Sequence, residues 1–141
     1  MPLDLARSRV ILDATLAEGR RLGLKPLAVA LVDAGGALTA LAREVGASPM
    51  RPEVALGKAR GAALTGLGSR QLAARAERQP AFVNALNALA HGALVPVPGG
   101  VLIREGGAIV GAVGVSGDVS EQDEATAMAG IAAGGFEADP G

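Results

Sequence analysis

The chain has 141 residues, half of them hydrophobic, with 13 basic and 14 acidic side chains, one histidine, two Phe and no cysteine, Trp or Tyr. Balanced charge argues against nucleic acid or an anionic membrane as partner, and the lack of cysteine excludes disulfides, thiolate nucleophiles and Cys-ligated zinc. The length suits a single domain spanning 1–141. No stretch reaches ~18 uninterrupted apolar residues, so no transmembrane helix is expected. The N-terminus, MPLDLARSRV, carries charges where a signal peptide needs an apolar run. The expected compartment is the cytoplasm. With so few aromatics, the core must be aliphatic and Ala-rich. Forming a homo-oligomer would help such a chain bury more apolar surface.

Residues 3–22 read as a helix with an apolar stripe of Leu3, Ala6, Val10, Ala14 and Ala17. Gly23 is its stop. Leu27–Val32 reads as a strand apolar on both faces, Asp33-Ala34-Gly35-Gly36 as a turn, and Ala37–Leu41 as the returning strand. After a loop over 43–51, Pro52-Glu53 opens a helix over 53–66, with Ala55, Ala59, Ala62 and Ala63 inward. Helices over 70–78 and 81–90 follow, the first behind a Ser69 cap. Residues 92–100 are irregular.

Gly106-Gly107 separates two apolar runs, Val101–Ile103 and Ala108–Val115. Paired glycines suit a tight hairpin turn. The second run is apolar or small on both alternating sets, which marks a central strand covered on both sides. Gly111 and Gly114 within it imply close approach by a helix, another backbone or a ligand. Ser120–Asp123 fits a capping box, so a helix starts near 121, with Ala125, Met128, Ala129 and Ala132 as its stripe. Gly134-Gly135 ends it. The Ser116-Gly117 turn before that helix offers backbone N–H groups to a small anion. The order α-β-β-α-α-α-β-β-α argues an α+β fold, an antiparallel sheet flanked by helices.

Three stretches together resemble the GlcG/HbpS family of haem-degrading-type domains, related to the C-terminal domain of PduO. They are VDAGGALTALAREVGA at 32–47, KARGAA at 58–63 and GGVLIREGGAIVGAVGVSGDVSEQDEATA at 99–127. The resemblance spans nearly the whole chain. It implies a profilin-like α/β sandwich, a homo-oligomer, and binding of haem, another tetrapyrrole or a small metabolite. Asp118 departs from the family, which usually has a second Gly after Ser-Gly.

The candidate ligand-binding residues are Asp33, Arg43, Lys58, Gly99, Gly100, Ser116, Gly117 and Asp123. Each has a plainer reading. Asp33 caps a turn. Arg43 either clamps a carboxylate or makes a surface ion pair. Lys58 is a solvated charge unless its place in the family signature carries a role. The glycines serve the backbone, and Asp123 belongs to the capping box. Glu121 and Glu124 read as solvated charges near the helix N-terminus. Ser116 lacks the last glycine of G-x-S-x-G, and no base is evident for a triad. His91 is the sole imidazole and a candidate axial ligand to haem, set against a helix-end cap or surface group; Met50 and Met128 are alternative soft ligands, though Met128 falls on the core stripe. Phe82, nine positions earlier, would lie on nearly the opposite face of a shared helix. Haem is therefore not the favoured cofactor, and no metal site is expected.

Three functions compete. The first is a small-ligand-binding domain, for haem or, in preference, a small carboxylate. The second is an enzyme acting on a small carboxylate-bearing metabolite, with Arg43 and Lys58 holding the anion and Asp33 or Asp123 moving protons. The third is a purely structural subunit.

Overall fold

The computed structural model describes residues 2–141. The elements are α1 (Leu5–Arg21), β1 (Ala28–Asp33), β2 (Leu38–Arg43), α2 (Arg51–Thr65), α3 (Ser69–Arg78), α4 (Pro80–Leu89), β3 (Gly100–Glu105), β4 (Ala108–Ser116), α5 (Ser120–Ala133) and β5 (Glu137–Asp139). The five strands form one antiparallel sheet in the order β2-β1-β4-β3-β5. β4 is the middle strand, as its two apolar faces imply. Gly106 and Gly107 both have positive φ, 58° and 83°, which fits the tight turn joining β3 to β4. The short edge strand β5 follows α5, in a stretch without a strand pattern in sequence.

The sheet has a helix layer on each face. On one, Val29, Leu31, Val101, Ile103, Val113 and Val115 pack against α1 and α5 in a large aliphatic cluster. On the other, Val32, Leu102 and Ala112 meet Ala59 and Ala62 of α2, and Ala28 and Ala30 meet Ala55. This second layer is close-packed because its residues are small. A methyl placed on Gly114 would lie 1.8 Å from the Ala55 carbonyl oxygen. Gly114 is thus required by α2. α3 and α4 form a smaller cluster with Leu72, Val83 and Leu94.

The helix stripes differ from those expected. α1 turns Ser8, Ile11, Leu12, Thr15 and Gly19 inward and leaves Ala6, Val10 and Ala17 exposed. α5 buries Asp123, Glu124, Thr126, Ala127, Gly130 and Ile131, with Ala125 and Ala132 outside. Both true faces mix small polar residues with aliphatic ones. Gly130 shows why: a methyl there would lie 1.9 Å from the Thr15 hydroxyl, so α5 meets α1 at a residue without a side chain. Alanine carries little information about which way it faces.

Among the described residues, no helix is long and apolar enough to cross a membrane.

Candidate functional site

β4 ends at Ser116, and four elements converge just beyond it. Lys58, two turns into α2, sends its ammonium to the Val115 carbonyl at 2.9 Å and to Asp123 Oδ2 at 3.2 Å. Both side chains are sealed, Lys58 at 3% exposure and Asp123 at 1%. Lys58 is therefore not a solvated charge. Burial pushes the Lys58 ammonium below its ordinary pKa, against the raising effect of Asp123. Burial likewise pushes the Asp123 carboxyl up, opposed mainly by Lys58.

The capping box does not form. Val119 is the residue before α5, and no side chain caps the helix there. Asp123 Oδ1 instead accepts the N–H of Asp118 at 3.0 Å. Asp118 Oδ1 accepts the N–H of Val119, and its Oδ2 accepts the N–H of Lys25. Two N–H groups expected to face an anion in the 116–120 turn are thus taken by the chain's own carboxylates. Glu124 also departs from the solvated reading: it is buried and grips Arg70 of α3 through both oxygens.

The candidate glycines are packed against protein. A methyl on Gly99 would lie 2.9 Å from the Lys58 ammonium, and one on Gly100 would lie 2.2 Å from the Lys58 carbonyl oxygen. One on Gly117 would lie 2.3 Å from the Pro26 carbonyl oxygen. Gly100 also donates its N–H to the Ser69 hydroxyl at 2.6 Å. Ser69 thus ties α3 to β3 instead of capping a helix.

Ser116 is buried, and its hydroxyl accepts a hydrogen bond from Arg51 at 2.9 Å. Arg51 is half-buried and makes no ion pair to a carboxylate among the described residues. The sequence offered no signal for it, because it stands at a loop–helix boundary with no distinguishing spacing. Arg43 ends β2 at the same end of the sheet, since its Cα partner Ala28 is in turn the partner of Ser116. Two strand spacings separate them, roughly 10 Å. Arg43 is exposed and donates to the Ala47 carbonyl at 2.8 Å. Arg51 leaves guanidinium donors unused beside Ser116, with Arg43 two strands away at the same sheet end, and a free guanidinium fork suits a planar carboxylate.

Asp33 lies elsewhere. It pairs with Gly111, five strand positions from the Ala28–Ser116 pair, or roughly 17 Å away. Its Oδ1 accepts the N–H groups of Gly35 and Ala37, which is turn capping.

His91 is not on a helix with Phe82. It lies beyond the end of α4 at φ 56°, the one described non-glycine residue with positive φ. It is exposed at the rim of a 250 Å³ cleft with Glu53, Leu56, Gly57, Arg60 and Val95. That cleft is smaller than the usual ~300–1,000 Å³ of ligand pockets. Phe82 is engaged by the Arg75 guanidinium, 4.6 Å from its ring centre. The residues around His91 therefore do not form a slot that fits haem.

The comparisons with known proteins bear on the whole chain. No curated protein matches. Among solved structures, a PduOC–haem complex is similar over 99% of this chain and 99% of its own, at 26% identity and a TM-score of 0.87. HbpS is similar over 94% of this chain and 89% of its own, at 27% identity and a TM-score of 0.82. Klebsiella pneumoniae protein ORFY shares the fold over 93% of this chain and 89% of its own, with a TM-score of 0.83 at 23% identity. Residues 3–132 match the family model described as haem degrading protein HbpS-like. The chain belongs to the HbpS-like family.

Proposed function

We propose that this protein is a small-ligand-binding domain whose preferred ligand is a small carboxylate, held by Arg51 and Arg43 at the Ser116 end of the sheet. The observation that carries this reading is Arg51: it is fixed by Ser116 at 2.9 Å and makes no ion pair with a carboxylate among the described residues, Asp123 acting on it only through space. A half-buried guanidinium in that state binds a carboxylate through charge-assisted hydrogen bonds. Lys58 and Asp123 serve as the frame behind the site. They hold Val115 and Asp118 in place and so orient Ser116, which orients Arg51.

Haem is the second reading. It is favoured by the family and by the likeness to a PduOC–haem complex. The surroundings of His91 do not support that residue as its ligand. The enzyme reading has less behind it. Of its two proton-moving candidates, Asp123 is sealed and paired, and Asp33 is at the other end of the sheet.

Titration calorimetry with sodium acetate, sodium oxalate and haemin tests the proposal. Saturable heat with acetate or oxalate, weakened at least tenfold in Arg51→Met, is the expected result. No carboxylate heat, or heat unchanged in Arg51→Met, would sink it. Tight haemin binding in place of carboxylate binding would promote the second reading.

A further inference from the structure

The end of α2, the end of α4 and the turn after it enclose an open hollow of 310 Å³ walled by Leu64, Leu86, Leu89, Ala90 and Leu94. Leu64 is 52% exposed and Leu89 79%. Single exposed leucines are ordinary, but leucines gathered around one hollow mark a binding surface. The hollow falls within the usual ~300–1,000 Å³ of ligand pockets.

The 250 Å³ cleft that holds Arg60 and His91 abuts it. Arg60 and Leu64 stand one turn apart on α2, and Ala90 and His91 are chain neighbours. The two hollows are held in this register from behind. The Val95 N–H bonds to the Gly57 carbonyl, and a methyl on Gly61 would lie 3.7 Å from Leu94, so residues 94–95 run back along α2. At the junction the donors are cationic or neutral. Arg60 spends its Nε–H on the Gly36 carbonyl at 3.0 Å, and its remaining N–H groups meet no carboxylate among the described residues. His91 is exposed and adds an imidazole. Glu53 bounds the far end of the cleft, seven positions before Arg60 or ~10 Å along the helix axis. The surface is thus apolar at one end and anion-seeking at its middle.

The geometry points to a second ligand site, for a medium-chain aliphatic carboxylate. The tail lies along Leu64, Leu86 and Leu89, and the carboxylate meets Arg60 and His91 through charge-assisted hydrogen bonds. Charge complementarity selects this occupant over an uncharged or cationic amphiphile. The tail supplies most of the affinity, since full burial of one methylene is worth about fourfold. Acetate, which has no tail, leaves this site empty. The site is separate from the Ser116 end of the sheet and does not rest on the reading given for it.

The test is a titration of the Arg51→Met chain, in which the Ser116 end is disabled, with sodium octanoate. Nuclear magnetic resonance should show saturable shifts of the Leu64 and Leu89 methyls and of the Ala90 and His91 amides, and acetate should shift none of them. By calorimetry, octanoate should bind at least threefold more tightly than hexanoate. Arg60→Met should weaken octanoate at least fivefold, and Leu89→Gln at least threefold. His91→Gly suits the backbone φ of 56° and so keeps the turn, and it too should weaken binding about threefold. Circular dichroism verifies that each variant folds. Octanol or octylammonium binding as tightly as octanoate would mean a merely greasy surface and overturn the proposal. So would octanoate binding indifferent to Arg60→Met, or octanoate binding that is present in the wild type and lost in Arg51→Met, which would put the carboxylate at Ser116.

Discussion

Lys58 and Asp123 come from helices on opposite faces of the sheet and meet past its end, Nζ to Oδ2 at 3.2 Å. The pair joins α2 to α5 around the end of β4, with the Val115 carbonyl as a third member. Breaking a buried pair from one side leaves a charge with no compensation. Lys58→Met or Asp123→Leu alone should cost about 3–5 kcal/mol in urea unfolding. The double variant Lys58→Met/Asp123→Leu should cost much less than the sum. Strict additivity would mean that the two side chains do not act as a unit.

The same pair sets a pH dependence. Burial raises the Asp123 pKa, so the folded chain holds a proton that the unfolded chain has released. Stability from this group therefore falls as pH rises from the ordinary aspartate value of about 3.9 through its raised folded value. Burial lowers the Lys58 pKa, so above that lowered value the unfolded chain binds more protons. Stability from Lys58 then rises with pH, up to its ordinary value of about 10.4. In Asp123→Asn the raising effect of the carboxylate on Lys58 is lost. The alkaline rise should start at lower pH than in the wild type. Unfolding free energies measured from pH 4 to pH 10 for both proteins check this, and identical alkaline limbs would refute it.

Gly114 faces the Ala55 carbonyl with no room for a methyl. Gly114→Ala must push α2 off the sheet and should cost about 3 kcal/mol or more. Gly107→Ala meets open space and is penalised only by its positive φ of 83°. Its cost should be about 1 kcal/mol. Thermal unfolding of the two variants should separate them clearly.

Val113 lies fully buried on the middle strand, facing the α1–α5 layer. Val113→Asp would bury a carboxylate without a partner. The variant should fail to give a cooperative unfolding transition by circular dichroism. A cooperative transition like that of the wild type would deny β4 its central place.

Strands β1 to β4 are legible because β1 and β4 are apolar on both faces and their turns are glycine-marked, whereas the three residues of β5 carry no such pattern. The helices were legible in extent but not in facing. In α1 and α5 the contact surface is built from Gly19, Gly130, Ser8, Thr15 and Thr126, which a hydrophobic stripe does not count. Lys58 and Asp123 were found as residues but not as a pair. Their approach depends on two helices meeting around a sheet end, 65 positions apart in the chain. The S-x-x-D pattern at Ser120 is local, and the tertiary bond to Lys58 overrides it. Gly99, Gly100 and Gly117 suggest room for a ligand in sequence, and in the structure protein atoms fill that room. Arg51 was missed because nothing about its neighbours distinguishes it until Ser116 is placed beside it.

Arg51 is the proposed anchor of a small anion beside Ser116. Nuclear magnetic resonance of the folded chain during titration with sodium acetate tests this most directly. Saturable shifts of the Arg51 Nε–H and of the Ser116 and Gly117 amides are expected, with the Asp33 turn and the His91 loop unmoved. Shifts confined to the His91 loop, or none at Arg51, would contradict it.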